Sequence, residues 1–178
     1  MKIQVGGLSE GLHEYRLEAP ASMLMLEENF SGEVVVDVVL EKTGRQIVLK
    51  AGIRTPATFA CDRCLERYTT SLSCAYQMYY LLEGTDTANL DPAEVQYLAP
   101  GSTVIDLTDD VRQTILLSVP LKLLCAESCE GLCPHCGKNL NTGPCGCTET
   151  AADPRWEKLR SLRDSNSEDW AQNREESI

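Results

Sequence analysis

The chain has 178 residues, 43% of them apolar, and a formal net charge of −11. This length and apolar content suit one domain with a small appendage and exclude global disorder, and no run of about 18 apolar residues is present to span a membrane. So acidic a chain is a poor match to a phosphate backbone, which is bound by lysine and arginine, and this disfavours direct tight binding to DNA or RNA.

The amino-terminal half reads as strands. E-V-V-V-D-V-V-L at 33–40 and R-Q-I-V-L-K at 45–50 flank Gly44, a hairpin signal of the longer-loop kind. Pro56 interrupts the next candidate strand, I-R-T-P-A-T-F-A, which is expected to be an edge or irregular strand leading into Cys61. Residues 69–80 alternate, with Leu72, Cys74, Tyr76, Met78 and Tyr80 on one face, so Cys74 is expected as a small buried apolar side chain. An acidic, turn-rich loop follows at 83–94, then short strands near Val95–Leu98 and Thr103–Ile105.

Residues 106–119 are the strongest helix, with Asp106 or Thr108 as cap, Asp109 and Asp110 in the first turn, and Pro120 as terminator. Val111, Ile115, Leu116 and Val119 form its apolar stripe. A second helix is expected from Asp153, with Pro154 at its first position and Trp156, Leu159 and Leu162 available for docking. The fold class implied is α+β: an antiparallel, barrel-like sheet, one main helix and a cysteine-rich carboxy-terminal element. The domain division implied is 1–124 (β-rich, with the helix), 125–147 (cysteine-rich) and 148–178 (helix and polar tail).

Eight of the nine cysteines fall into close pairs: Cys61/Cys64, Cys125/Cys129, Cys133/Cys136 and Cys145/Cys147. The amino terminus lacks the apolar stretch of a signal peptide, which points to the cytoplasm, where thiols stay reduced and paired cysteines hold metal more often than they form disulfides. Four pairs supply enough thiolates for two structural Zn2+ ions, each in a tetrahedron with no open position. Gly137, directly after Cys136, allows the sharp turn of a zinc knuckle, whereas C-D-R-C-L has no such glycine. Local economy groups Cys133, Cys136, Cys145 and Cys147, leaving Cys61, Cys64, Cys125 and Cys129 as the other site. A split ribbon of Cys61/Cys64 with Cys133/Cys136, or a metal-free last pair, is also compatible with the spacing.

C-P-H-C is also the motif of oxidising thiol–disulfide oxidoreductases, but that chemistry needs a helix N-terminus, and G-K-N-L-N-T-G-P-C-G-C cannot start a long helix. A redox or zinc-responsive protein using Cys133/Cys136 is therefore the second reading, a generic protein-interaction module the third, and an iron–sulfur cluster is not excluded by thiolates alone. His135, between two ligands of one knuckle, is expected at the surface, and His13 is expected to be structural. No metalloprotease, serine-hydrolase or phosphate-loop motif is present, so no catalytic residue is assigned.

Taken in order, C-D-R-C-L, then D-L-T-D-D-V-R-Q-T-I-L-L-S-V-P-L-K-L-L-C, then C-E-G-L-C-P-H-C-G-K-N-L-N, then D-P-R-W-E-K-L resemble the YceD-like family, the large ribosomal RNA subunit accumulation proteins, over roughly residues 15–163. The resemblance implies a non-enzymatic role in synthesis, processing or stability of large-subunit ribosomal RNA in bacteria and chloroplasts. Some members match Cys61/Cys64 and Cys125/Cys129 but lack the Cys133–Cys147 run, which supports the first grouping and makes the second site an elaboration. The acidity then favours a basic protein partner, such as a large-subunit ribosomal protein, with indirect RNA association and no membrane or DNA contact.

Overall fold

A computed structural model describes residues 1–44, 46–82, 90–99, 101–147 and 155. The strands are β1 (Lys2–Gln4), β2 (Gly11–Pro20), β3 (Glu33–Lys42), β4 (Gln46–Ala60), β5 (Arg67–Leu82), β6 (Val95–Leu98) and β7 (Val104–Asp106), with one α-helix among the described residues, α1 (Thr108–Leu117). Two units are distinguished, Met1–Leu132 and Cys133–Ile178. All seven strands and α1 belong to the first. No described helix is long and apolar enough to cross a membrane.

Strand alternation builds the main sheet. Val34, Val36, Val38 and Leu40 of β3 are buried on one face, as are Leu49, Ala51, Ile53, Ala57 and Phe59 of β4. Leu72, Met78 and Tyr80 continue that face into β5, and half-buried Cys74 packs against it, its thiol pushed up by burial. Val111 and Ile115 of α1 cover the face, together with Ile3 of β1 and Ile105 of β7. Leu116, expected in the helix stripe, is instead 37% exposed: Leu107, Val111 and Ile115 recur every fourth residue, and Leu116 falls on the flank.

The sheet order is β2-β3-β4-β5-β6, antiparallel except for the parallel β5–β6 pair, while β1 and β7 form a separate antiparallel pair. The expected barrel is therefore corrected to an open sheet. Closure would need β6 against β2, but β6 joins only Tyr79–Leu82 at the far end of β5.

Pro56 does not interrupt β4, which runs 15 residues and pairs Pro56 with Ser71. The missing N–H is tolerated because β3 pairs with β4 only as far as Arg54, leaving residue 56 at a local edge. The Pro56 ring fills the space beside Gly32, where an added Cβ would stand 2.2 Å from the Pro56 Cγ. At the start of α1, Thr108 donates its backbone N–H (3.0 Å) to Asp106. The N-cap position itself is held by Leu107, with no side-chain cap bond, so neither expected cap occupies it and Asp106 bonds the first helical amide from one residue further out. Of the acidic loop expected at 83–94 only residues 90–94 are described, and they hold a short 3-10 turn at Pro92–Glu94. The helix expected from Asp153 lies outside the described residues apart from Arg155.

Gly32→Ala should destabilise the fold by about 1–3 kcal/mol through overpacking, and Pro56→Ala in the same chain should restore most of that loss. Urea titration of the two single variants and the double variant checks this. Asp106→Ala should cost about 1 kcal/mol at neutral pH, because the Thr108 amide and hydroxyl lose a charged acceptor. The Thr108 hydroxyl and amide hold the Asp106 carboxyl down to about 2, against an ordinary 3.8. Because the folded value is depressed, the stabilisation is complete above the ordinary value and is lost as pH falls through about 2. Urea midpoints of wild type and variant should therefore converge in acid.

Candidate metal centres

The turn of the β4–β5 hairpin is itself a cysteine knuckle. Ala60 pairs with Arg67, so Cys61 to Glu66 make the turn. Within it Cys61 N–H donates to the Glu66 carbonyl (2.9 Å) and Leu65 N–H to the Cys61 carbonyl (2.9 Å). The second unit repeats this pattern: Cys133 N–H donates to Lys138 (2.8 Å) and Gly137 N–H to Cys133 (2.9 Å). The turn needs a left-handed residue after the second cysteine. Gly137 takes it at φ 72°, as its position suggested, and Leu65 takes it at φ 61° where a side chain is disfavoured. The first knuckle therefore lacks the glycine signal without lacking the geometry.

The two residues between Cys61 and Cys64 join the knuckle to a segment some sixty positions later. Asp62 N–H donates to the Leu123 carbonyl (2.7 Å), and Leu123 N–H donates back to the Asp62 carboxylate (2.6 Å). The Arg63 guanidinium donates to the carbonyls of Glu127 (3.1 Å) and Cys129 (2.8 Å). Gly131, at φ 78°, passes close over the knuckle, where an added Cβ would stand 3.1 Å from the Arg63 carbonyl. These bonds carry Cys125 and Cys129 to Cys61 and Cys64. Neither Asp62 nor Arg63 was marked by any motif; two charged residues held inside a C-x-x-C turn are the only signal.

Cys61, Cys64, Cys125 and Cys129 place their Sγ atoms all within 4.8 Å of one another, and so do Cys133, Cys136, Cys145 and Cys147. The Sγ atoms of Cys61 and Cys129 are 3.8 Å apart, those of Cys64 and Cys125 3.7 Å, and those of Cys133 and Cys145 3.4 Å. A tetrahedron with metal–sulfur bonds near 2.3 Å has edges of about 3.8 Å, so the donor set and spacing fit a four-thiolate ion. All nine cysteines are free thiols. Of the groupings that spacing allowed, the geometry brings together Cys61/Cys64 with Cys125/Cys129, and Cys133/Cys136 with Cys145/Cys147. Cys74 and exposed His135 belong to neither group, and His13 Nε2 bonds the Ser9 carbonyl at 3.0 Å.

The two groups differ in exposure. Cys61, Cys64 and Cys129 are buried and Cys125 is exposed; in the second group only Cys133 is buried, while Cys136 and Cys147 are exposed. Their protons are unevenly held. Burial pushes the Cys61 thiol up, but the amides of Cys125, Cys64 and Arg63 outweigh it and bring it down to about 6. The amides of Cys136 and His135 likewise lower Cys133 to about 6. Cys125, sharing a hydrogen bond with Cys129, is pushed up to about 12, as is Cys147 by Cys136. Each group thus pairs one sulfur that ionises readily, Cys61 or Cys133, with others that resist it: Cys64 and Cys125 in the first group and Cys147 in the second.

An open-sheet α+β protein with two groups of four thiols able to hold metal ions is the class these features define. The chain belongs to the YceD family: the family model described as "Large ribosomal RNA subunit accumulation protein YceD" matches residues 49–163, from β4 through both sulfur groups. Among curated proteins it is similar to "Large ribosomal RNA subunit accumulation protein YCED homolog 1, chloroplastic" of Arabidopsis thaliana, 24% identical over 157 residues, covering 74% of this chain and 48% of that one. It is also similar to an uncharacterized protein of Mycobacterium tuberculosis (29% over 128 residues; 70% and 59% covered) and one of Mycobacterium leprae (23% over 128 residues; 71% and 58% covered). The chain thus spans about half to three-fifths of the length of these relatives. No solved structure matches it.

Removing a buried cysteine of the first group should cost more than removing an exposed cysteine of the second. Cys61→Ser and Cys129→Ser should lower the thermal midpoint of the strand-rich unit by several degrees, because they release the hairpin turn and the 123–131 segment together. Cys136→Ser and Cys147→Ser should leave that midpoint within about a degree. Thermal melts followed in the far ultraviolet, where β-structure dominates, decide between them.

Proposed function

We propose that this protein is a non-enzymatic ribosome-biogenesis factor of a bacterial cytoplasm, supporting the synthesis, processing or stability of large-subunit ribosomal RNA, with two structural zinc ions. Membership of the YceD family carries the first part of this reading, and the Arabidopsis relative's own name speaks of the same RNA. The sulfur geometry supports the second part: zinc prefers a tetrahedron of thiolates, and a shell of four leaves no position for substrate or water, so the ions would hold structure and perform no catalysis. The ligands would be Cys61, Cys64, Cys125 and Cys129 for one ion and Cys133, Cys136, Cys145 and Cys147 for the other.

Charge supports a protein intermediary between this chain and RNA. The formal −11 counts every thiol as neutral, and each ion on four thiolates would add two further negative charges. A basic partner, for instance a large-subunit ribosomal protein, suits such a surface, and RNA would be reached through it. The redox reading is less well supported. Cys133–Cys136 closes on a left-handed Gly137 and is followed by a short 3-10 turn at Leu140–Thr142, so the described chain after Cys133 starts no α-helix of the kind that activates such a cysteine.

Two measurements test the reading together. Elemental analysis of the full chain should find about two zinc per chain, and depletion in the source cell should lower large-subunit relative to small-subunit ribosomal RNA. An unchanged RNA ratio would overturn the ribosomal role. Absence of zinc with a reducible Cys133–Cys136 disulfide would overturn the structural-metal role in favour of thiol chemistry.

A further inference from the structure

The two long edges of the main sheet are treated very differently. On β2, the edge strand carries Glu14, Arg16 and Glu18 and ends in Pro20, charges and a proline of the kind that discourage a further strand. The other side has a longer opening. β6 covers β5 only at Tyr79–Leu82, so Arg67–Met78 have no strand partner on that side among the described residues. From Tyr68 to Leu82 β5 contains no Asp, Glu, Lys, Arg or Pro. An edge this long and uncharged is a template for pairing unless something covers it.

A groove of about 310 Å³ runs along this edge between β5 and α1. Tyr76 and Gln77 lie on its strand side, Asp110 and Leu117 on its helix side, and Glu94 closes one end just before β6. Among the described residues, Glu94 and Asp110 are the only charged ones lining it, and both are acidic. Asp110 is held in place by Tyr80 (3.5 Å) and Gln96 (3.3 Å), with no cation bonded to it among the described residues. The Tyr76 hydroxyl is buried beside the groove and has no hydrogen-bond partner among the described residues. Leu117, at the other end of the helix wall, is 85% exposed.

We infer that this groove is a docking site for an extended, lysine- or arginine-bearing peptide segment of a protein partner, which adds as a strand beside Arg67–Met78. The peptide backbone completes the free ladder of β5, supplying main-chain affinity, and alternate side chains face α1. Asp110 and Leu117 are seven residues apart on the helix, about 10 Å along its axis. An extended chain therefore meets them with a cationic and an apolar side chain two or four positions apart on one face. This deepens the proposal of a basic partner and rests on it, adding where and how that partner is held.

The probe is the acetylated, amidated peptide Lys-Thr-Val-Thr-Lys-Thr-Val-Thr, with Lys-Pro-Val-Pro-Lys-Pro-Val-Pro as a control of equal charge that cannot sustain a strand ladder. On the full metal-loaded chain, the threonine peptide should slow hydrogen exchange tenfold or more at alternate amides within Leu72–Met78, and the proline peptide should not. Asp110→Asn and Glu94→Gln, at two half-buried positions, should each weaken binding of the threonine peptide at least threefold in low salt. Equal binding of both peptides without protection of β5 would overturn the inference, reducing the effect to charge adhesion. So would protection of the same amides without peptide that rises with protein concentration, since a second copy would then own the edge. Protection by the threonine peptide alone sustains the docking site even if the ribosomal RNA ratio does not respond to depletion, so the two readings fail separately.

Discussion

Four sulfurs at the tip of the β4–β5 hairpin are the constraint on which the rest of the first unit depends. The two strands are 15 and 16 residues long, the longest in the sheet, and their turn has almost no apolar side chain of its own to bury beyond Cys61 and Cys64. Three of the four gathered thiols are buried, and isolated charges in such surroundings cost several kcal/mol each. Without a cation the group can carry little more than the one thiolate of Cys61, and the sulfurs offer only weak mutual bonds. With one, four ligands drawn from two chain segments become a single covalently strong junction. The Asp62–Leu123 pair and the Arg63 contacts bring the second segment to the site with ordinary hydrogen bonds. They set where Cys125 and Cys129 arrive, and the sulfur group then decides whether they stay.

Local pattern made much of this legible. The valines of β3, the alternation of β5 and the four-residue recurrence of α1 each follow from one buried face, which is why those elements appear where expected. β2 carries the same kind of signal, with His13, Tyr15, Leu17 and Ala19 inward and Glu14, Arg16 and Glu18 outward, yet an edge strand is only half-buried and its inward residues are too mixed to stand out. The open sheet was not legible, because closure depends on where a four-residue strand returns, and no local period encodes that. At the site, cysteine spacing allowed several groupings. The deciding contacts come from Asp62 and Arg63, whose partners lie far along the chain, and from Leu65, which takes a backbone conformation that composition would assign to glycine.

The two knuckles share one hydrogen-bond pattern and differ in what surrounds it. In the first, the knuckle replaces a hairpin turn and is roofed by a returning segment, so its sulfurs are shielded. In the second, all four cysteines come from fifteen consecutive residues, and two remain exposed. Loop closure explains the contrast: joining positions sixty residues apart needs compensating contacts, which then bury the site, whereas a short local loop closes at little entropic cost and recruits no cover. A buried four-sulfur junction is suited to holding a fold together. A shallow one, repeating the same turn on the surface, is suited to presenting the few residues it orders, and Lys138, which bonds the Pro144 carbonyl at 2.8 Å across that loop, is among them.

Acidity and a family named for ribosomal RNA are reconciled by range. At physiological salt the influence of an exposed charge fades over about 8 Å, so net charge matters to what touches the surface and much less to what lies one protein diameter away. A chain at −11 repels a phosphate backbone at contact, yet it can sit within a ribonucleoprotein if a cationic protein lies between them. The asymmetry of the sheet edges bears on how such an arrangement would be held. Charge alone gives orientation and speed of encounter but little register. An uncharged edge beside two carboxylates supplies register through the backbone ladder, with the charges choosing which chains approach. On the proposed reading, acidity selects the class of partner and the open sheet positions it, so the absence of a closed barrel becomes a condition of the function.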